Sequence, residues 1–338
     1  MKKIGTHDGC FHCDEALGCF MLKCLPEYRD ADIVRTRDEA ILATCDVVLD
    51  VGATFDPAKH RYDHHQRDFK HTMRSLTGLP FDTKLSSAGL IYAHFGKRVL
   101  AELVDFEDGD PLNSPKMDMV FEKMYANFIE EIDGIDNGIT PYEGKPRYKM
   151  TTHLSNRVAD ILPWWNEEVE PDMTDLFHKA MHMAGHEFRR QARYFYKAWL
   201  PARDVVVAAI KNRFDTHASG QIVEKCEVPW KHHLFMLEKE LKVEKPILFM
   251  LMQDEKKMWR IRAVPLDENE PFANRLPLPE SWRGLRDAEL VEACGISGAR
   301  FVHPTGFLAG NETKEGALLM AQKCMEMHKR VIAANGDA

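Results

Sequence analysis

Apolar positions along this chain change their spacing from segment to segment, and the changes mark out alternating strands and helices. "KKIGTH" reads as a short strand. It gives way to "CDEALGCFMLKCL", where Ala16, Leu17, Phe20, Met21 and Leu25 recur at helical spacing. "ADIVRTR" and "CDVVLDVG" are the next strands, the second an apolar run that ends on Asp50 and a glycine. A carboxylate at the carboxyl end of a buried strand stands where open α/β sheets bind ligands. "KLSSAGLIYAHFG" then offers a serine cap, an apolar helical face and a terminal glycine. "FEKMYANFIEEIDGIDNG" predicts another amphipathic helix, ending in an acidic turn.

From Asp172 to Trp199 the residues Leu176, Phe177, Ala180, Met181, Ala184, Phe188, Ala192, Phe195 and Trp199 keep a three- to four-residue spacing. They predict one long helix, closed by Pro201. After it "DVVVAAI", "PILFMLMQ" and "WRIRAVP" are β-rich patterns, and a final helix is expected over about 313–333. The alternation points to an α/β protein with a domain boundary near 165–200. "DFEDGDPLNSP", at 105–115, reads as a solvated loop.

With 338 residues, 44% of them hydrophobic and 29% charged, the chain has room for two ordinary globular domains. No apolar run approaches the roughly 20 residues that span a bilayer. The opening "MKKIGTHDG" carries neither an apolar signal core nor an Arg/Ser-rich transit segment, so an intracellular protein is expected. Eight cysteines (Cys10, Cys13, Cys19, Cys24, Cys45, Cys226, Cys294 and Cys324) form no even framework, which fits reduced thiols. A net charge of −8 argues against a broad basic surface for duplex DNA. An anionic substrate then requires metal ions or a local basic patch.

Four separated stretches place His or Asp where a strand or helix ends: "THDGCFHCDEA" (His7, His12, Asp14), "LDVG" (Asp50), "DHH" at 63–65, and "EEIDGIDNG" (Asp133, Asp136). Three consecutive side chains in extended backbone do not share one face, so Asp63-His64-His65 reads as a turn wrapped around a metal site. Imidazole mixed with carboxylate suits Mn²⁺, Fe²⁺ or Zn²⁺, and two such ions sharing one Asp form a hydrolytic arrangement. Cys10 and Cys13 also form a C-x-x-C pair, which leaves a redox reading open beside one in which the cysteines are fillers.

The order of "GTHDGCFHCDEALGCF", "PEYRDADIVRTRD", "RYDHHQRDF", "KLSSAGLIYAHFG", "DNGI", "WLPARDVV", "LPLPESWRGLRD" and "FVHPTGFLAG" resembles the melanocyte-proliferating-gene family of metal-dependent exonucleases, within the DHH phosphoesterase superfamily. The resemblance runs from about residue 4 to 328. It implies a doubly wound parallel-sheet DHH domain (1–165), a linker helix (166–200) and a smaller α/β C-terminal substrate domain (201–338). It also implies two Mn²⁺ or Mg²⁺ ions. Asp50 would bridge them, His7 and His12 would hold one, and Asp14 with His64 would hold the other, completed by Asp136 or Asp133. Most DHH enzymes have H-x₃-D-x-D in the first motif; here His12 stands at the first Asp position, which softens the ligand set. Asp63 and His65 become supporting catalytic residues beside Asp50, one orienting a ligand imidazole and the other contacting phosphate or the leaving oxygen.

In the C-terminal part Arg283, Arg286 and His303 accompany Gly306 and Gly310 ahead of a helix, a pattern able to hold phosphate. DHH enzymes place a Gly-rich substrate loop here. The resemblance implies 3′-to-5′ exonuclease action on single-stranded RNA, releasing nucleoside monophosphates, in the nucleus or mitochondrion, with the cytoplasm left open. Trp164, Trp165 and Trp282 are candidates for base stacking or for the core. Two other readings keep the metal: a pyrophosphatase or dinucleotide phosphodiesterase, and a metal-stabilised scaffold without turnover.

Overall fold

A computed structural model describes residues 1–167, 172–224, 228–268, 270 and 273–336, with Cys226 outside them. The fold is α/β, in two compact units, Met1–Leu200 and Pro201–Ala338.

The first unit is built on strands β1 (Lys3–Thr6), β2 (Asp32–Arg35), β3 (Val47–Leu49), β4 (Phe55–Asp56) and β5 (Arg61–Tyr62), in the order β2-β1-β3-β5-β4. All pairs are parallel except β4 with β5. Strand β3 shows why its sequence is a continuous apolar run. Val47 and Leu49 enter the large core, whereas Val48 joins Leu42, Cys45 and Val51 on the other face. The helices Cys13–Cys24 and Ser87–Val104 supply much of that large core.

Gly96 does not end its helix, which continues to Val104; a Cβ at Gly96 would stand 2.7 Å from the Phe121 ring, so the glycine admits a close neighbour. Gly185, in the helix Met173–Tyr194, is tighter still, with the Phe20 ring 2.1 Å from any added Cβ. The near edge of that ring includes Cγ, at 2.4 Å, so a flip of the ring about its Cβ–Cγ bond does not relieve the clash. Gly185→Ala is therefore expected to destabilise the protein by about 1–3 kcal/mol, measured by thermal or denaturant unfolding.

The second unit carries β6 (Ile222–Glu224), β7 (Phe249–Gln253), β8 (Trp259–Ala263), β9 (Ala299–Val302) and β10 (Leu308–Asn311), in the order β6-β7-β8-β10-β9. Only β6 with β7 is parallel. Along β7, Phe249 and Leu251 face one core and Met250 and Met252 another, so this sheet too is covered on both sides. The last helix spans Lys314–Gly336.

Two expectations are corrected here. "DVVVAAI" is not a strand, and Pro201 does not close the preceding helix: Leu200–Lys211 is helical. A π turn over Phe195–Trp199, closed by the Leu200 amide on the Phe195 carbonyl, shifts the hydrogen-bond register just before Pro201. Such a shift takes the following position out of the regular i to i−4 ladder, so the proline's missing N–H is accommodated within a continuous helix. The valines continue the helix because Ala202, Val206, Ala209 and Ile210 are the buried positions, which is a helical period.

Candidate metal centre

Three adjacent parallel strands deliver the polar residues. His7 follows β1, Asp50 follows β3, and Asp63, His64 and His65 follow β5, each at a carboxyl end. Asp50 leaves its strand with φ 60°, a left-handed conformation that Asp and Asn tolerate better than most residues. His12 caps the helix Cys13–Cys24, whose first turn carries Asp14 and Glu15. Asp136 ends the helix Glu130–Asp136.

These side chains converge on Asp50. Its Oδ2 lies 3.3 Å from His7 Nε2, and its Oδ1 lies 3.3 Å from His64 Nε2 and 3.7 Å from His65 Nδ1. His64 Nε2 is also 3.2 Å from Asp136 Oδ2. Three overlapping groups have ligand atoms within 4.8 Å of one another: His7, His12, Glu15 and Asp50; Asp50, His64 and His65; and His12, Asp14 and Asp136. Asp50 and His12 each belong to two groups. Asp14 Oδ1, Asp50 Oδ1 and both ring nitrogens of His64 are buried without a hydrogen-bond partner. Buried polar atoms are normally paired, and a set of nitrogen and oxygen donors converging in this way fits a divalent cation.

The electrostatics agree. Burial, then the charges of Asp14 and Asp50, push the Asp136 carboxyl up to about 9. Burial likewise takes Glu15 up to about 8, against the pull of His7. For Asp50 burial acts in the same direction, but the His64 and His7 imidazoles outweigh it and hold the carboxyl at about 2. More carboxylates are gathered here than two imidazoles neutralise, and added positive charge would relieve the crowding.

Asp63 is buried, and its oxygens accept from the Ala53 amide (2.6 Å), the His65 amide (3.1 Å) and His65 Nδ1 (2.7 Å). It thereby ties the loop after β3 to the His65 ring, whose side chain is 60% exposed. The two serines of "KLSSAG" hold two different acids. Ser87 Oγ donates to Asp14 Oδ2 at 2.6 Å, while the Ser86 amide and hydroxyl donate to Asp133 Oδ1 at 2.9 and 2.7 Å. Asp133 Oδ2 accepts from the Tyr125 hydroxyl at 2.9 Å. Asp133 is thus fully engaged and fully buried, and of the two aspartates of that helix only Asp136 belongs to a convergent group.

Glu15 escaped the sequence reading. Its carboxylate accepts from the His12 amide at 2.8 and 3.0 Å, as a helix-capping glutamate does, and its Oε1 also lies 3.1 Å from His7 Nε2. Cys10 and Cys13 are free thiols, the first exposed and the second buried, and burial pushes the Cys13 thiol up, away from redox use.

In the second unit Arg283 Nε donates to the Leu278 carbonyl at 3.0 Å and packs on Gly306, where φ is +74°. Arg286 is exposed at the start of the helix Asp287–Cys294, and His303 Nδ1 lies 2.9 Å from Thr305 Oγ1. Gly310 sits within β10, where a Cβ would meet Arg260 at 2.6 Å. Trp282 is a core residue at 1% exposure, whereas Trp164 and Trp165 are exposed at 74% and 96%.

Comparison with known proteins adds a family. The MYG1_exonuc family model, described as an uncharacterised protein family (UPF0160), matches residues 3–325. The chain is 51% identical over 324 residues to the human MYG1 exonuclease, covering 95% of this chain and 85% of that protein. It is 50% identical to the mouse MYG1 exonuclease over 95% of this chain and 84% of the relative. The MYG1 protein C27H6.8 of Caenorhabditis elegans is 47% identical over 328 residues, 96% of this chain and 95% of its own length. No solved structure matches.

Proposed function

Because this chain belongs to the MYG1 exonuclease family, we propose that it is a metal-dependent 3′-to-5′ exonuclease that hydrolyses single-stranded RNA to nucleoside monophosphates. The observation that carries the metal part of the reading is Asp50, one buried carboxylate belonging to two convergent ligand groups and leaving one oxygen unpartnered. His7, His12 and Asp50, with Glu15 beside them, would hold one ion; Asp14, Asp50, His64 and Asp136 would hold the other. Bound Mn²⁺ or Mg²⁺ supplies acidified water as nucleophile and offsets the charge that develops on the phosphate oxygens.

The chain's own residues do the rest. In hydrolysis the P–O3′ bond breaks and the departing oxygen takes up a proton. His65 suits that donation: Asp63 grips its Nδ1, which fixes the ring and leaves Nε2 for substrate. The hydrogen bond that His65 donates to Asp63 also raises the pKa of His65, favouring the form that has a proton to give. Ser87 fixes the orientation of Asp14, as a supporting partner of a metal-ligating carboxylate does.

The experiment is incubation with 3′- and 5′-labelled single-stranded RNA and DNA, with Mn²⁺ or Mg²⁺, beside an EDTA control. Stepwise shortening from the 3′ end of RNA, stopped by EDTA, is the expected result. Intact oligonucleotides alongside hydrolysis of pyrophosphate or a dinucleotide would move the assignment to a small phosphoanhydride or diester.

A further inference from the structure

Two cavities open onto the Asp50 cluster. One, of about 520 Å³, is lined by Asp14, His64, Lys84 and Asp136 among others. The second, of about 560 Å³, has His7, Asp8, Gly9, Arg37, Gly52 and Asp63 in its wall. Both are also lined by His12, Asp50 and His65, so the two meet at two proposed metal ligands and the proposed proton donor. The second cavity is rich in acids, and among the described residues Arg37 is the one lysine or arginine that lines it.

Arg37 reaches this position through the sheet. It lies two residues beyond β2, and the Thr36 amide donates to the Thr6 carbonyl at 2.8 Å, which sets the segment beside the end of β1 and His7. Its Nη2 stands 3.3 Å from His7 Nδ1 and its Nε 3.2 Å from Asp8 Oδ1. The two arginines of "VRTR" divide sharply. Arg35 donates to the carbonyls of Gly9 and Met173 and lies over the rings of Phe11 and Phe177, a structural setting. Arg37 has a side chain 65% exposed, and its acidic partner is 57% exposed.

That pairing is easily exchanged. An exposed ion pair contributes about 0–1 kcal/mol, so trading Asp8 for a phosphate costs little. The contact with His7 is also incompatible with metal ligation through Nε2. A neutral imidazole that presents Nε2 to an ion carries its proton on Nδ1, where the Asp8 carbonyl, 2.9 Å away, accepts it. Arg37 then has no lone pair on Nδ1 to donate to, and its guanidinium, already in the cavity wall, is left with the exposed Asp8 carboxylate.

We propose that Arg37 is the phosphate-holding arm of this site. Its guanidinium grips non-bridging oxygens of the scissile phosphodiester and, after hydrolysis, those of the released nucleoside monophosphate. This rests on the proposed nuclease activity for its substrate, while the recognition chemistry, a planar fork of donors against a phosphate, is independent of polarity and of chain length.

The test uses the full chain as wild type, Arg37→Ala and Arg37→Lys. Calorimetry gives Mn²⁺ affinity and then the affinity of 5′-AMP for the Mn²⁺-loaded protein; labelled RNA gives kcat and KM. Arg37→Ala should weaken 5′-AMP binding and raise KM by about 10- to 100-fold with Mn²⁺ affinity unchanged, since a charge-assisted hydrogen bond is lost. Arg37→Lys should regain only part, because an ammonium lacks the fork. Unchanged 5′-AMP affinity overturns the proposal, and so does a fall in Mn²⁺ affinity that parallels activity, which would make Arg37 a support for His7. If the wild type leaves RNA intact, the nuclease reading fails separately, and loss of 5′-AMP binding in Arg37→Ala still assigns the phosphate arm.

Discussion

Asp50→Asn lowers Mn²⁺-dependent hydrolysis by more than about 100-fold, beyond what removal of a supporting partner of a metal ligand typically costs. In the same variant the metal-free protein melts somewhat lower than wild type, because a carboxyl held below its ordinary value stabilises the native state. Asparagine is the right probe because it keeps the shape and tolerates the left-handed backbone at φ 60°, where alanine would add strain. What it loses is charge, and Asp50 is charged: the His64 and His7 imidazoles hold its carboxyl at about 2. Without metal, that charge is one of those that push Asp136 up to about 9, but its attraction to the two imidazoles is the larger effect. With metal, the loss falls on both ligand groups to which Asp50 belongs. Mn²⁺ should therefore raise the melting temperature of wild type and much less that of the variant, because only an ion bound to the native state stabilises it. A variant that still binds two ions per chain and still hydrolyses substrate would remove Asp50 from the bridging role.

The sequence announces the parts of this site that lie on regular elements. β3 is a short apolar run that gives way to a polar residue at its end, so Asp50 stands out from pattern alone, whereas His7 follows the mixed strand KIGT and stands out through its neighbours His12 and Asp14. β4 and β5 do not: two residues each are too few to show a period, and their pairing depends on the loop held by Asp63. Glu15 was hidden because its spacing from His12 has an ordinary explanation, a helix cap, which it also fulfils. Arg37 was hidden because its approach to His7 is made across β1 and β2, thirty residues apart in the chain. The strand expected at "DVVVAAI" illustrates the opposite failure. Its β-branched run has the composition of a strand, but burial of Ala202, Val206, Ala209 and Ile210 follows the helix.

Asp133 and Asp136 lie one turn apart, and their variants should fail in different ways. Asp136→Asn is expected to fold and to lose Mn²⁺ affinity, since its carboxylate meets His64 Nε2 at 3.2 Å and belongs to a group with His12 and Asp14. Asp133→Ala is expected to cost about 3–4 kcal/mol of stability, because it strands the Ser86 amide, the Ser86 hydroxyl and the Tyr125 hydroxyl in a site without water access. Gly89 leaves no slack for repacking: a Cβ there would stand 2.4 Å from Asp133 Oδ1. Asp133→Asn keeps the acceptor that Ser86 uses and should retain most of the stability and the Mn²⁺ affinity. Its pH dependence gives a further check. Burial outweighs the bonds from Ser86 and Tyr125 and takes the Asp133 carboxyl up to about 7, so the native state holds a proton that the unfolded chain releases near 4. Asp133's contribution is therefore fully present below pH 4 and declines as pH rises to about 7, and Asp133→Asn should flatten that part of the metal-free stability profile. Denaturant unfolding between pH 4 and 8 measures the slope, and calorimetry measures Mn²⁺. If Asp133→Asn lost the ion while Asp136→Asn kept it, the ligand would be Asp133 and the Ser86 contacts would have to open on metal binding.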